Sequence, residues 1–324
     1  MRISLFIGII VLLFSSHHTF SQVVHSPGCP VIYNYSPEDY GAHAQNWAAV
    51  QDQRGVMYFG VTNDGIVEFD GINWRIIPTS NNSTARSLGI DENGIVYAGA
   101  YGEFGFLGTN KKGKTEYTSL LNKMPEGERE KISKILKVHP TSNGVYFVTE
   151  TKIYRYFNDT VFIIPADLKL QQRYGFVVYD NLYVVQKDSA LYAVYGNELL
   201  CLPHSHEFSS DYKRYVMLPY ENYKMLIATL NKGFYIYDLK KVSNKGKIFK
   251  GNTNENTPES VTRKFNTEID EYIKTNQLYT GIQIDENYYA FGTLTGGIII
   301  MDKKGKLVRI INKNRGLQDN TVLF

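Results

Sequence analysis

Short runs of β-branched and aromatic residues, broken by Asp, Asn and Gly, recur along most of the chain, which is the pattern of strands joined by tight turns. Laid over one another, the runs align Tyr58-Phe59-Gly60 with Tyr97-Ala98-Gly99, Tyr146-Phe147-Val148, Tyr183-Val184-Val185, Leu226-Ile227-Ala228 and Ala290-Phe291-Gly292. Successive anchors lie 39, 49, 37, 43 and 64 residues apart, close to the ~40 to 50 residues of a four-stranded propeller blade except where something is inserted. Before the first two anchors, Asp52-Gln53-Arg54-Gly55 and Asp91-Glu92-Asn93-Gly94 carry hairpin chemistry: the Asp side chain bonds nearby amides and the Gly takes a positive φ.

After the anchors, Gly65, Gly233 and Gly297 each open an apolar run ending in Asp70, Asp238 or Asp302, and Thr62, Thr229 and Thr293 precede those glycines. A fourth strand follows, as in Trp74 to Ile77 and Leu307 to Ile311. Each unit therefore reads strand, Asp/Gly turn, strand, Gly turn, strand, loop, strand. Such a sheet cannot bury both faces alone, whereas radial stacking lets each blade cover its neighbour. The fold expected is all-β, a β-propeller of about six four-stranded blades plus an incomplete seventh, with a short helical insertion; an open β-sandwich is the competitor. Val31 to Tyr35 suits the outer strand of the blade that closes such a ring.

Two stretches break the period. Pro125 to Lys131, followed by Ile132, Ile135 and Leu136, has the spacing of a short helix with Pro in its first turn. Residues 240–276 are rich in Lys, Asn and Thr and read as an insertion between blades, its end at Thr267 to Ile273 opening like a capped helix with an acidic first turn.

Composition agrees with β-structure: 25 Tyr, 17 Phe and 27 Gly stand against 6 Met in 324 residues. The 35 Lys+Arg nearly balance 32 Asp+Glu, for a net charge of +3, so the polybasic footprint of a nucleic-acid binder is missing and no direct nucleic-acid contact is expected. Residues 1–22 read as a signal peptide, with Arg2, an apolar stretch from Ile3 to Phe14, and Ser15, Ser16 and Ser21 near the cut. The apolar stretch is too short for the ~20 residues of a spanning helix. The propeller domain is then 23–324, and a periplasmic or secreted location is expected. Cys29 and Cys201 leave room for one bridge and make no disulfide framework. Cys29 lacks the apolar residues that precede a lipidated cysteine.

Gln45-Asn46-Trp47-Ala48-Ala49-Val50-Gln51-Asp52, Gly65 to Gly71, Gly102-Glu103-Phe104-Gly105-Phe106-Leu107 and Gly316 to Val322 together resemble the two-component-regulator propeller repeats of Bacteroidetes-type sensor proteins. The resemblance covers nearly all of the mature chain and is specific for fold and placement, but not for ligand. It implies an extracytoplasmic sensor. In relatives the blades precede a triple-tyrosine immunoglobulin-like domain, a membrane span, and a histidine kinase or helix-turn-helix output that regulates transcription. Phe324 falls inside what would be the first strand of a seventh blade, so the chain reads as the N-terminal part of such a regulator, reaching the membrane only through C-terminal regions it does not contain.

Catalytic and metal chemistry is weakly represented. Cys201-Leu202-Pro203-His204-Ser205-His206 has no second ligand pair at metal-finger spacing, so no metal is expected. The Gly-rich Gly99 to Gly105 lies between strands and opens no helix that could hold a phosphate, so no cofactor is expected. The Asp turns resemble sialidase Asp-boxes, but a glycosidase needs paired carboxylates or a tyrosine nucleophile at the channel mouth. Asp52 and Asp91 belong to the opposite face, so the chain is not expected to be an enzyme. Residues entering the first strands and those in the turns between second and third strands should share one rim. They are Asn46 and Trp47, Arg86, Arg173 and Tyr174, and Tyr279, with Tyr101 and Glu103 from the second-to-third turn. Flat aromatic faces, an amide, a carboxylate and guanidinium groups suit an oligosaccharide or another polar small ligand. The alternatives are a protein-interaction or homodimerisation scaffold and, third, a carbohydrate-active enzyme.

Overall fold

The computed structural model describes residues 32–164, 170–186, 190–208, 215–230, 232–244, 247–248 and 261–323, with the side chains of residues 170–174, 207, 215, 243–244 and 247–248 left aside. The expected signal peptide, Cys29, Val31 of the expected closing strand, and the side chains of Arg173 and Tyr174 therefore lie outside the described residues. Six four-stranded antiparallel sheets follow one another along the chain, each in simple up-and-down order. Blade one comprises Asn46–Gln51, Met57–Val61, Gly65–Phe69 and Trp74–Ile77. Blade two comprises Ala85–Ile90, Val96–Ala100, Phe104–Thr109 and Thr115–Ser119. The later blades begin at Lys137–Thr141, Leu170–Val178, Tyr215–Tyr220 and Leu278–Gln283. All six anchor triplets fall in second strands, because that strand is covered on both faces and is the most continuously apolar of its blade.

Alternation of side chains along those strands builds the core. In blade three, Tyr146 joins a buried cluster with Leu182 and Val184 of blade four, while its neighbour Phe147 joins Phe104 and Tyr97 of blade two. Five such clusters occur, one for each successive pair of blades from one to six. The first strands likewise lie side by side from each blade to the next, up to blade six.

The turns repeat as well. Asp52 Oδ1 accepts from the amides of Arg54 and Val56, at 2.9 and 3.0 Å, and Asp91 Oδ1 from those of Asn93 and Ile95, at 3.0 and 2.8 Å. Asn110 and Asp302 hold the turns between third and fourth strands of blades two and six in the same way. Gly55, Gly94, Gly113 and Gly305, three residues after each, all have positive φ, which a side chain would strain.

Two expectations need correction. Residues 125–136 form no α-helix; Gly127 sits at φ 79 and only a 3-10 turn, Arg129–Lys131, follows it. Ile132, Ile135 and Leu136 are instead buried beside blades two and three. The stretch 240–276 is not a single insertion between blades either: most of it separates the third strand of blade five, Gly233–Asp238, from the fourth, Thr262–Phe265, which pair directly, and 266–276 alone lie between blades five and six. The helix at its end is present as Asp270–Thr275 and packs Ile273 between blades five and six.

Candidate functional site

At the rim that carries the second-to-third turns, blades one and two part to leave a cleft of about 560 Å³. One wall is the entry of blade one, with Gln45 and Trp47, and its turn at Thr62 and Asn63; the other is Asn82, Ser83 and Thr84, which lead into blade two, with Tyr101 from that blade's own turn.

Trp47 is held in place. Its indole Nε1 donates to Thr62 Oγ1 at 2.9 Å, that hydroxyl lies 3.2 Å from Gln45 Oε1, and the Arg86 guanidinium stacks 4.0 Å above the ring centroid. In blades five and six Thr229 and Thr293, which stand where Val61 stands in blade one, donate their hydroxyls to the Gly233 and Gly297 carbonyls and close their own turns. The turn of blade one has the same length, and its threonine, Thr62, lies one residue further on, where its hydroxyl meets the tryptophan.

The opposite wall is braced by backbone. Asn81 Nδ2 and Ser83 Oγ both donate to the Tyr101 carbonyl, at 2.9 and 3.2 Å, and the Asn63 amide donates across the cleft to Thr84 Oγ1 at 3.0 Å. Tyr101 keeps 43% of its surface exposed. The cleft thus offers an aromatic side chain on each side and several amides and hydroxyls, a set that can stack on a ring and exchange oriented hydrogen bonds.

Of the residues expected at the rim, Trp47, Arg86 and Tyr101 come together. Asn46 is half-buried next to them, its Nδ2 3.4 Å from the Ala44 carbonyl. Tyr279 is half-buried on the first strand of blade six, away from this cleft. Glu103 is a correction: it is 2% exposed, accepting from Ser119 Oγ at 2.7 Å and Tyr117 OH at 3.3 Å. Burial raises its pKa against the pull of those two donors. It is a structural carboxyl inside blade two. Sequence reasoning missed Thr62, Asn63 and the Asn82-Ser83-Thr84 stretch, although so many short polar side chains just before a first strand were a signal.

A second cleft, about 430 Å³, opens on the opposite face between blades two and three. Its Asp91 is engaged by the turn amides described above and its Asp180 by Ser142. Among the described residues no cluster of three His, Cys, Asp or Glu side chains could hold a metal ion, and no helix is long and apolar enough to cross a membrane.

No family model matches the chain, and no curated protein does. Many solved structures do. A streptogramin B lyase aligns over 82% of this chain and 82% of its own, with 11% identity and a TM-score of 0.55. YCF48 bound to a D1 peptide aligns over 86% of each chain, with 10% identity and a TM-score of 0.54. The extracellular domain assigned to a hybrid two-component system from B. thetaiotaomicron aligns over 89% of this chain and 48% of its own, with 13% identity and a TM-score of 0.39, too low to carry an argument. A lyase and a peptide-bound protein on one fold show that what is shared is the propeller, while function has to be argued from the site.

Proposed function

We propose that this chain is the ligand-binding propeller of an exported sensor, recognising a hydroxyl-rich polar molecule such as an oligosaccharide in the cleft between blades one and two, and carrying no catalysis of its own. The observation that supports it most is the Trp47–Arg86 stack, held by the Thr62 hydroxyl and faced by an exposed Tyr101. A pre-ordered aromatic platform with polar groups around it binds sugar rings at little entropic cost. A sensor reading follows from the repeat resemblance, in which propellers of this type report ligand to a transmembrane regulator.

A glycan panel screened by thermal shift tests the reading. Trp47→Ala and Tyr101→Ala should each weaken the best glycan about tenfold or more, the loss of roughly 1.4 kcal/mol of stacking. Glu103→Gln, inside blade two, should leave affinity unchanged. No affinity change in either aromatic variant would place the ligand elsewhere, and turnover of a chromogenic glycoside would make the chain an enzyme.

A further inference from the structure

The cleft on the opposite face, between blades two and three, shares no residue with the one between blades one and two. At its inner end the two first strands meet: a Cβ on Gly89 would stand 2.6 Å from the Pro140 ring. Ile90, Pro140 and Val145 line it with apolar surface, and so do the half-buried Tyr156 and Phe157 from the end of the third strand of blade three. The space enclosed, about 430 Å³, is that of a small-molecule site rather than of a protein interface.

Its charge is one-sided. Asp91 and Glu92 come from the first turn of blade two and Asp180 from the first turn of blade four, and among the described residues no Lys, Arg or His lines the cleft with them, although the chain as a whole carries a net charge of +3. The cations nearby are held by other groups. The Arg155 guanidinium lies 4.5 Å from the centroid of Phe157 and donates to the Asn143 carbonyl at 2.6 Å and to Asn197 Oδ1 at 3.2 Å, and Lys123 pairs with Asp159 at 2.5 Å. Asp180 Oδ1 accepts from the Ser142 amide at 2.9 Å and its Oδ2 from the Ser142 hydroxyl, while Asp91 Oδ2 meets the Tyr97 hydroxyl at 3.4 Å. Each of those oxygens can accept a further donor. Glu92 is exposed and enters no ion pair among the described residues.

We propose that this cleft binds a small organic cation, a protonated amine carried on an apolar or aromatic stem. The ammonium group is drawn to the Asp91, Glu92 and Asp180 carboxylates, where its hydrogen bonds are charge-assisted. The stem lies against Ile90, Pro140 and Val145, and the rings of Tyr156 and Phe157 add their attraction for a cation. An anion of the same shape would meet three like charges and no counter-charge.

Isothermal titration calorimetry of residues 23–324 tests this with tyramine as the probe, and with 4-ethylphenol and 4-hydroxyphenylacetate as its uncharged and anionic counterparts. Tyramine should bind at least about tenfold tighter than 4-ethylphenol, and the anion should give no binding. Raising NaCl from ~50 to ~500 mM should weaken tyramine about threefold. Glu92→Gln should weaken it about threefold, Asp180→Asn at least as much, and Glu92→Lys should abolish it. Trp47→Ala, in the other cleft, should leave tyramine binding unchanged, so this site stands or falls separately from the glycan reading. Equal affinities for tyramine and 4-ethylphenol overturn the proposal, as does the absence of tyramine binding up to ~10 mM. An unchanged tyramine affinity in both Glu92 variants overturns it too, and these decide the matter if Asp180→Asn misfolds, because the exposed Glu92 side chain holds no part of its turn. Tighter binding of acetyl-Gly-Lys-Gly-amide than of tyramine would make the occupant a peptide lysine and overturn the assignment to a free amine.

Discussion

His139 sits half-buried on the first strand of blade three, its Nε2 shut away from solvent with no hydrogen-bond partner among the described residues. Burial, reinforced by Lys137, pulls its pKa from 6.5 to about 3, only partly opposed by a backbone hydrogen bond with Gly175. A base with a depressed folded pKa stabilises the fold fully above its unfolded value and loses that contribution as pH falls toward the folded one. Stability should therefore decline below pH 6.5, with about 2 kcal/mol of this contribution gone by pH 5. Denaturant titrations of the wild type and His139→Gln across this range check it: the variant's curve should be flatter, and two parallel curves would assign the acid sensitivity to another group. The same residue-scale reasoning explains Glu103. Two positions beyond the exposed Tyr101, just before the third strand, its carboxyl is taken by Tyr117 and Ser119 of the fourth strand. Counting along a turn does not reveal that pairing, because the partners come from a strand whose register only the sheet defines.

Within a blade, the turns decide much of what could be read beforehand. An Asp or Asn followed three residues later by Gly forms the same loop in four places, since the side-chain oxygen replaces a strand partner for two amides. The loops at Asp52 and Asp91, the anchors, and the third strands of blades one, five and six were legible because each has its own local chemistry. The fourth strand of blade five was not: Thr262-Arg263-Lys264-Phe265 is outer and largely polar, so the insertion before it looked like an interruption between blades. The helix expected over 125–136 failed for a related reason, as its apolar spacing is equally served by an extended segment whose Ile132 and Ile135 drop between two blades and Gly127 stops any helical run. Asp91→Ala should cost about 1 kcal/mol by urea titration. Asp52→Ala should cost more, because both carboxylates accept from a tyrosine hydroxyl at 3.4 Å, from Tyr58 and Tyr97, but only Asp52 also accepts from a guanidinium, that of Arg54 at 2.7 Å. Equal losses would show that the turn amides alone matter.

Taken over the whole molecule, the core is five separate interfaces rather than one central mass, so each blade depends mainly on the blades beside it, as repeats do in a solenoid. Phe104, stacked between Phe147 at 4.5 Å and Tyr154 at 5.5 Å, anchors the second of these interfaces, and Phe291, edge-on to Phe234 at 5.2 Å, anchors the fifth. Truncating either to Ala should cost about 3 to 5 kcal/mol, but the consequences should differ in extent. Loss at the Phe104 interface cuts the array in its middle, where blades on both sides are supported by further neighbours. Loss at the Phe291 interface frees blade six, which no buried cluster ties to blade one among the described residues. Native-state hydrogen exchange distinguishes the two cases. In the wild type, amides of the second strand of blade three should exchange with nearly the global unfolding free energy, and those of the second strand of blade six through a smaller, local opening. Phe291→Ala should release blade six while leaving blade three protected, whereas Phe104→Ala should lower protection on both sides of the cut. Uniform protection across all six blades in the wild type would mean that blades six and one hold each other after all.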